Sequence, residues 1–325
     1  MNKFFFTCGD TNGIGPEIVI KTLNQVYHSF SEFYFVCPKN IFLKNSSLIK
    51  PKFKYKFYKS ISEKVLPANH VKIVDTSGGK LSEGKPTKTS GKISFDSLNY
   101  AINYVNKFDN ASLITAPISK TAWKLNKIKY DGHTDFLGDV FNVSNPLMLF
   151  YSRKLIAALA TIHQPIKNVS ALLTKERLNS IFCSLYNSLI NDFQIDSPKI
   201  AVLGLNPHAG EMGVLGNEEI KIINPLVKKN KLNFFGPFVP DAFFGKHLYK
   251  NYDAVLGMYH DQVLIPFKML SFDNGVNYTA NLPIIRTSPD HGTAFDIAYK
   301  GIANPNSMIA AYKLANLILK NRGKR

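Results

Sequence analysis

Cysteine is scarce in this sequence. Cys8, Cys37 and Cys183 stand far apart among 325 residues and are odd in number, which excludes a disulfide framework and a CxxC metal site. A reducing compartment, expected to be the cytoplasm, follows from that usage. Long apolar runs are missing as well: no stretch approaches the roughly 18 residues that a membrane-spanning helix needs. The N-terminal run at 4–6 is too short for the apolar core of a signal peptide, and Gly9-Asp10 ends it. Concentrated basic charge is the third absence. The formal net charge is +17, but the excess is overwhelmingly Lys scattered among Asn and Phe, with no Arg-rich arm and no basic block. A basic nucleic-acid-binding protein would interleave clustered basic residues with exposed aromatics. That class is a distant alternative, and neither nucleic acid nor membrane is expected as a partner. The surplus charge would instead steer small anionic ligands inward.

What is present reads as an α/β protein. With 45% hydrophobic and 19% charged residues, the chain can bury a sizeable core as one large or two moderate domains. Buried strands are expected at 4–8, 33–37, 71–75, 112–117, 199–205 and 253–258, where apolar runs end in Gly, Pro or polar residues. Helical spacing marks 90–106, 175–191, 306–320 and a segment carrying Phe136, Leu137, Val140 and Phe141. Two strands at 147–151 and 155–162, joined by Ser152-Arg153-Lys154, read as antiparallel. Two Gly-rich stretches imitate nucleotide motifs without matching them. Gly9, Gly13 and Gly15 have G-x-x-x-G-x-G spacing, not G-x-G-x-x-G, and read as a turn into a helix opened by Pro16. Residues 79–85 fit the start of a P-loop, but Pro86 stands where the metal-binding Ser or Thr belongs and has no N–H to offer a phosphate.

The stretch 252–305 is the densest in chemistry. Its strand at 253–258 runs straight into Tyr259-His260-Asp261-Gln262; Lys268, Asn277 and Arg286 follow, and the polar, Gly- and Pro-rich run 286–297 reads as a functional loop. His163, His208 and His260 share one address, each following an apolar strand at the rim where open α/β sheets place their ligands. Taken singly, each has a plain structural explanation as a hydrogen-bonded loop residue. Three on one rim make a nitrogen-rich site for Zn²⁺ or a similar divalent ion, with a position open to substrate. Asp241, in Gly236-Pro237-Phe238-Val239-Pro240-Asp241, is the carboxylate expected to join them. The anion-binding group is separate. Lys268 and Arg286 supply charge, the Arg as a planar fork suited to carboxylate or phosphate, and Asn277 adds directional hydrogen bonds. His133 and Thr134 offer a titratable nitrogen and a hydroxyl in a Gly-led turn at a helix start, a natural anion position.

The motifs at 9–17, 115–120, Gly132-His133-Thr134, 205–211, 258–262 and 286–294 resemble, in order and over essentially the whole chain, the landmarks of the 4-hydroxythreonine-4-phosphate dehydrogenase family. As a set they are highly specific. The resemblance implies a two-lobed isocitrate/isopropylmalate dehydrogenase-like α/β fold, with the active site in the interlobe cleft at a homodimer interface. Residues 1–127 and 270–325 would form the lobe with the cofactor loop, and 128–269 the lobe with the metal ligands and dimer contacts. The implied activity is NAD-dependent and metal-dependent oxidation of 4-phosphooxy-L-threonine in pyridoxine and pyridoxal 5'-phosphate synthesis, with one Zn, Mg or Co ion. By the same match His163, His208 and His260 are the metal ligands, while His133, Thr134, Lys268, Asn277 and Arg286 touch substrate.

Segments 291–298 and 300–305 look like the adenosine-binding loop of the wider decarboxylating dehydrogenases, which gives His291, Gly292, Asp296 and Asn304 to the cofactor. An acidic residue there bonds a ribose 2'-OH and repels a 2'-phosphate, so Asp296 favours NAD over NADP. For proton transfer the sequence offers His133 and Lys120 without choosing. The chain departs from the family pattern at Thr11-Asn12, in place of Pro-Ala, and at Val263, Asn281 and Tyr299, in place of Gly. A related dehydrogenase acting on another hydroxy acid is therefore the near alternative.

Overall fold

The computed structural model describes residues 1–61 and 69–323. The chain folds as two compact units, Met1–Asn142 with Leu282–Arg325, and Val143–Asn281. These boundaries lie further along the chain than the 127/128 and 269/270 expected from sequence. The first unit begins with β1 (Lys3–Thr7), α1 (Gly15–Val26), β2 (Glu32–Val36), α2 (Lys39–Leu48), β3 (Tyr55–Tyr58), β4 (Val71–Val74), α3 (Lys88–Val105), β5 (Ala111–Thr115), α4 (Lys120–Leu125) and α5 (His133–Val140). The second comprises β6 (Leu147–Tyr151), β7 (Ile156–Leu159), α6 (Ile166–Leu172), α7 (Lys175–Asn191), β8 (Ile200–Leu203), α8 (Asn224–Lys229), β9 (Phe234–Phe238), α9 (Pro240–Gly245), β10 (Ala254–Gly257), α10 (His260–Ser271) and β11 (Val276–Ala280). The chain returns to the first unit through β12 (Ile285–Pro289) and α11 (Asn306–Arg322). Among the described residues no helix is long and apolar enough to cross a membrane.

In the first unit the strands run β3-β4-β2-β1-β5-β12, and every neighbouring pair is parallel. A parallel sheet is covered on both faces, so its strands are unbroken apolar runs. Phe4, Phe5 and Phe6 are accordingly all fully buried. The strand order reverses between β1, which leads to β2, and β5, which neighbours β12. Loops leaving the carboxyl ends at such a switch point form the ligand crevice of open α/β sheets, and here they meet: Asp10 N–H donates to Pro117 O at 2.8 Å. Arg286 belongs to this sheet. The functional loop expected at 286–297 begins instead as the buried strand β12, with Arg286 in register with Leu113 of β5. Its polar residues are tolerated because each finds a partner, Arg286 at Thr115 Oγ1 and Thr287 Oγ1 at Ala311 O.

In the second unit the order is β11-β6-β7-β10-β8-β9. The hairpin β6/β7 is antiparallel, as its spacing predicts, and so is β11/β6. The parallel group β7, β10, β8 directs three carboxyl ends to one rim. Beneath it lies a core containing Phe150, Leu159, Leu203, Val255, Val263 and Phe267. Val263, one of the departures from the family pattern, is absorbed here: a Cβ on Gly257 would come within 1.9 Å of its Cγ2, so the bare backbone at 257 makes room for it.

Candidate active site

The rim of the second unit carries the three histidines. His260 opens α10 directly after β10, His163 follows β7, and His208 follows β8. The strand exits are tied to one another. Thr161 Oγ1 donates to Met258 O at 2.7 Å, linking the His163 and His260 segments. Gln262 accepts from Met258 N through Oε1 and donates to Gly204 O through Nε2, both at 2.7 Å, linking the His260 and His208 segments. His163 and His208 both hold left-handed backbone, φ 46 and 53, uncommon outside Gly and characteristic of functional turns. The turn Pro207–Gly213 stays left-handed through Met212, and the buried Glu219 cradles it. Glu219 Oε1 accepts from Leu205 N and Asn206 N at 2.7 and 2.8 Å, and its Oε2 accepts from Asn206 Nδ2 at 2.9 Å.

The structure brings two of the expected ligands close. The rings of His163 and His260 have centroids 5.7 Å apart, where two imidazoles sharing a tetrahedral ion at about 2.0–2.1 Å would stand on the order of 5 Å apart. Nδ1 of His260 lies 2.6 Å from Asp261 Oδ1. A carboxylate only accepts, so Nδ1 carries a proton, and in the neutral ring that leaves the Nε2 lone pair for a ligand, the arrangement that orients metal-binding histidines. Among the described residues no group of three or more His, Cys, Asp or Glu side chains converges tightly enough to hold an ion. Asp241, exposed in the first turn of α9, lies on a helix that touches the His208 turn. Lys268 lies further along the helix that His260 opens, with Nζ 5.8 Å from the Phe272 ring centre, and Asn277 stands in β11, opposite Phe150.

The first unit holds a drier site. Arg286 is buried, and its Nε and Nη2 both donate to Thr115 Oγ1, at 3.1 and 2.7 Å. Burial lowers its pKa to about 9, which leaves the guanidinium charged at neutral pH. His133 opens α5 and is also buried, edge-on to Trp123 with ring centres 5.8 Å apart. Burial, and then the nearby Arg286 charge, hold its pKa well below the ordinary histidine value. It is therefore a neutral imidazole, and among the described residues no hydrogen-bond partner reaches its buried Nε2. Thr134 is buried beside it in the same first turn. A fixed cation, a neutral ring nitrogen and hydroxyls in a low-dielectric setting suit an anionic ligand.

The proposed cofactor residues form an exposed loop in the same unit. His291, Gly292, Asp296 and Asn304 are exposed, with Asp296 on the single turn Phe295–Ile297. The loop is held from within by α1: Lys21 Nζ donates to Gly301 O and Ala303 O at 2.9 and 2.7 Å. Glu17 Oε1 accepts from that Lys21 and from Ala303 N, both at 2.8 Å. Sequence reasoning passed over Thr115, Glu219 and Asp261 as site residues. Asp261 was recoverable as the carboxylate next to a candidate ligand and Thr115 as the first residue of the 115–120 motif, whereas Glu219, whose partners lie 13 and 14 residues away, left no local sign.

Against known families the match is extensive. Residues 30–315 fit the model of the "Pyridoxal phosphate biosynthetic protein PdxA" family. The chain belongs to that family. It is 39% identical to the 4-hydroxythreonine-4-phosphate dehydrogenase of Prosthecochloris aestuarii, covering 99% of this chain and 98% of the relative. To the enzyme of that name from Aquifex aeolicus it is 38% identical, with 98% of each chain covered. The crystal structure of 4-hydroxythreonine-4-phosphate dehydrogenase from Klebsiella pneumoniae superimposes with a TM-score of 0.85 at 33% identity, covering 98% of both chains. A terephthalate 1,2-cis-dihydrodiol dehydrogenase from Burkholderia xenovorans shares the fold, at TM-score 0.65 and 22% identity.

Proposed function

We propose that this PdxA-family chain is a 4-hydroxythreonine-4-phosphate dehydrogenase that uses NAD and one divalent ion. It oxidises the secondary alcohol of 4-phosphooxy-L-threonine in the synthesis of pyridoxal 5'-phosphate. Oxidation at the alcohol carbon would release the hydroxyl proton, with NAD⁺ supplying the hydride acceptor when bound, and the β-keto acid product would lose CO₂ to give 3-amino-2-oxopropyl phosphate. The observation that carries the reading is the buried Arg286–Thr115 pair beside the neutral His133, a built anion site inside a chain whose relatives are named for a phosphorylated substrate.

Each residue then has a role. Arg286, Thr134, Lys268 and Asn277 bind and orient the substrate's anionic groups, and His133 Nε2 takes or gives one hydrogen bond without adding charge. By the family resemblance His163, His208 and His260, with Asp241, would hold the ion; of these His163 and His260 stand close to each other, and the Asp261 bond at Nδ1 suits His260 to that role. When bound, the ion supplies Lewis-acid polarisation of the reacting oxygen, and Zn, Mg and Co all suit nitrogen and oxygen donors of this kind. Asp296 accepts from the ribose 2'-OH, and its charge disfavours the 2'-phosphate of NADP.

The working form is a homodimer. Met212 in the His208 turn, Val214 and Leu215 just after it, Ile265 and Met269 on α10 and Phe272 at its end are large apolar side chains left exposed, a pattern that a second copy would cover. Three free cysteines suit a reducing compartment, the cytoplasm. The test is NADH formation from 4-phosphooxy-L-threonine with identification of 3-amino-2-oxopropyl phosphate, run beside unphosphorylated hydroxy acids. Faster turnover of an unphosphorylated acid would replace this reading with that of a sister dehydrogenase.

A further inference from the structure

We infer that Asn12 and Tyr299 are positioning residues for the nicotinamide cofactor, clamping the loop that bears Asp296 to the turn after β1 and so setting cofactor affinity. The inference rests on the proposed assignment of 291–304 to the cofactor. Asn12 is fully buried, and both ends of its amide are used. Oδ1 accepts from Ser82 N at 3.0 Å, while Nδ2 donates to Lys85 O at 2.8 Å and Thr87 Oγ1 at 3.1 Å. Its backbone carbonyl accepts from Gly84 N at 2.9 Å. A buried amide satisfied in this way fixes the 82–87 loop in one place. That loop abuts the Asp296 turn: Gly84 has φ +71, and a Cβ on it would come within 2.8 Å of Phe295 O.

Tyr299 secures the far side of the same turn. Its hydroxyl donates to Thr11 O at 2.7 Å and accepts from Asn45 Nδ2 at 3.4 Å. The residue is buried at φ 60, a backbone region that bulky side chains rarely adopt. Such a conformation persists where surrounding contacts over-determine it, and it concentrates at ligand clamps. On the near side Thr293 O accepts from Ile14 N at 3.0 Å. Asp296 is thus exposed on one helical turn anchored before and after it, with both anchors leading to residues 11–14. A loop ordered in advance loses little freedom when a ligand binds, so loosening it weakens NAD binding and leaves the chemistry at the substrate untouched.

Tyr299→Phe removes one hydroxyl and keeps the ring. The KM for NAD, and its Kd measured by calorimetry without substrate, should rise about threefold to tenfold, as for one neutral hydrogen bond. The NAD/NADP preference should shrink, with kcat and the substrate KM unchanged. Asn12→Ala should move the NAD values further in the same direction; if it fails to fold, Tyr299→Phe alone decides. A Tyr299→Phe protein with a lower melting temperature but wild-type NAD KM and Kd would overturn the inference, since the hydroxyl would then serve stability alone. So would a substrate KM that changes more than the NAD KM. Failure of the cofactor assignment looks different: Asp296→Asn would leave the NAD affinity and the NAD/NADP preference of the wild type unchanged, and both readings would fall together.

Discussion

His133 and His260 each stand at the first position of a helix, α5 in one unit and α10 in the other, and there the likeness ends. His133 is buried against Trp123 with the Arg286 cation nearby, and its Nε2 is buried too. His260 is half-exposed with a carboxylate on Nδ1. A positive neighbour and a dry setting keep a ring neutral and make it a hydrogen-bonding group for an anion. A carboxylate on Nδ1 fixes the tautomer and orientation that offer Nε2 as a ligand for a cation. Residue type and helix position are shared, so neighbouring charge and burial separate the two roles.

The largest effect expected from breaking that division is at the open histidines. Losing a ligand forfeits Lewis-acid stabilisation of several kcal/mol, so His163→Ala, His208→Ala and His260→Ala should each cut kcat by roughly a thousandfold or more. Metal analysis of the same proteins should show stoichiometry falling; full retention in all three would remove the assignment. Next comes the dry site. Arg286→Lys keeps the charge but loses the fork that reaches Thr115, and kcat/KM for the phosphorylated substrate should fall about ten- to a hundredfold. The KM for NAD should hold. Fluorescence of Trp123, the only tryptophan, gives substrate affinity independently of turnover, and unchanged affinity in Arg286→Lys would contradict the anion role.

Smaller effects sharpen the comparison. Asp261→Asn leaves all three ligands in place but removes the carboxylate that fixes the His260 tautomer, and should weaken metal affinity about tenfold to a hundredfold by equilibrium dialysis. Asp296→Asn should narrow the NAD/NADP ratio of kcat/KM; a wild type that already uses the two equally would refute the loop's role.

Stability against pH tests the burial half of the argument. Burial raises the Asp10 pKa from 3.8 to about 6, against the lowering effect of its bonds from Asn12 N and Ser90 Oγ. A raised folded-state value means that its contribution is complete below the unfolded value and is lost as pH climbs through about 6. His133 has the opposite sign: its folded-state pKa is depressed, so its contribution is complete above the ordinary value of about 6.5 and is lost as pH falls below it. Asp10→Asn should therefore raise the melting temperature at pH 7, by an amount on the order of 2–3 kcal/mol in stability, and not at pH 4. His133→Gln should flatten the acid limb instead. Parallel melts at pH 4, 5.5 and 7 separate the two.

Much of this was legible in the sequence wherever apolar pattern and local order coincide. The helix at 175–191 has the bounds its periodicity predicts, and the three histidines follow β7, β8 and β10 as the apolar runs indicate. Pattern failed where polarity or turn residues interrupt a strand. Arg286, Thr287 and Ser288 made β12 read as loop, and Gly236-Pro237 hid β9. The supporting contacts were also invisible, for a physical reason. Arg286 and Thr115 lie 171 residues apart and Tyr299 and Thr11 lie 288 apart; such pairs meet only through sheet topology and leave no periodic trace. The same holds for Asn12, whose unusual identity was plain while its hold on the 82–87 loop was not.

The division between the two kinds of histidine is tested most directly by cobalt. Protein stripped with chelator and reloaded with Co²⁺ should show visible ligand-field absorption in the wild type and in His133→Gln, with equal stoichiometry, and should lose it in His260→Ala. Loss of the cobalt spectrum in His133→Gln, or its full retention in His260→Ala, would contradict the account.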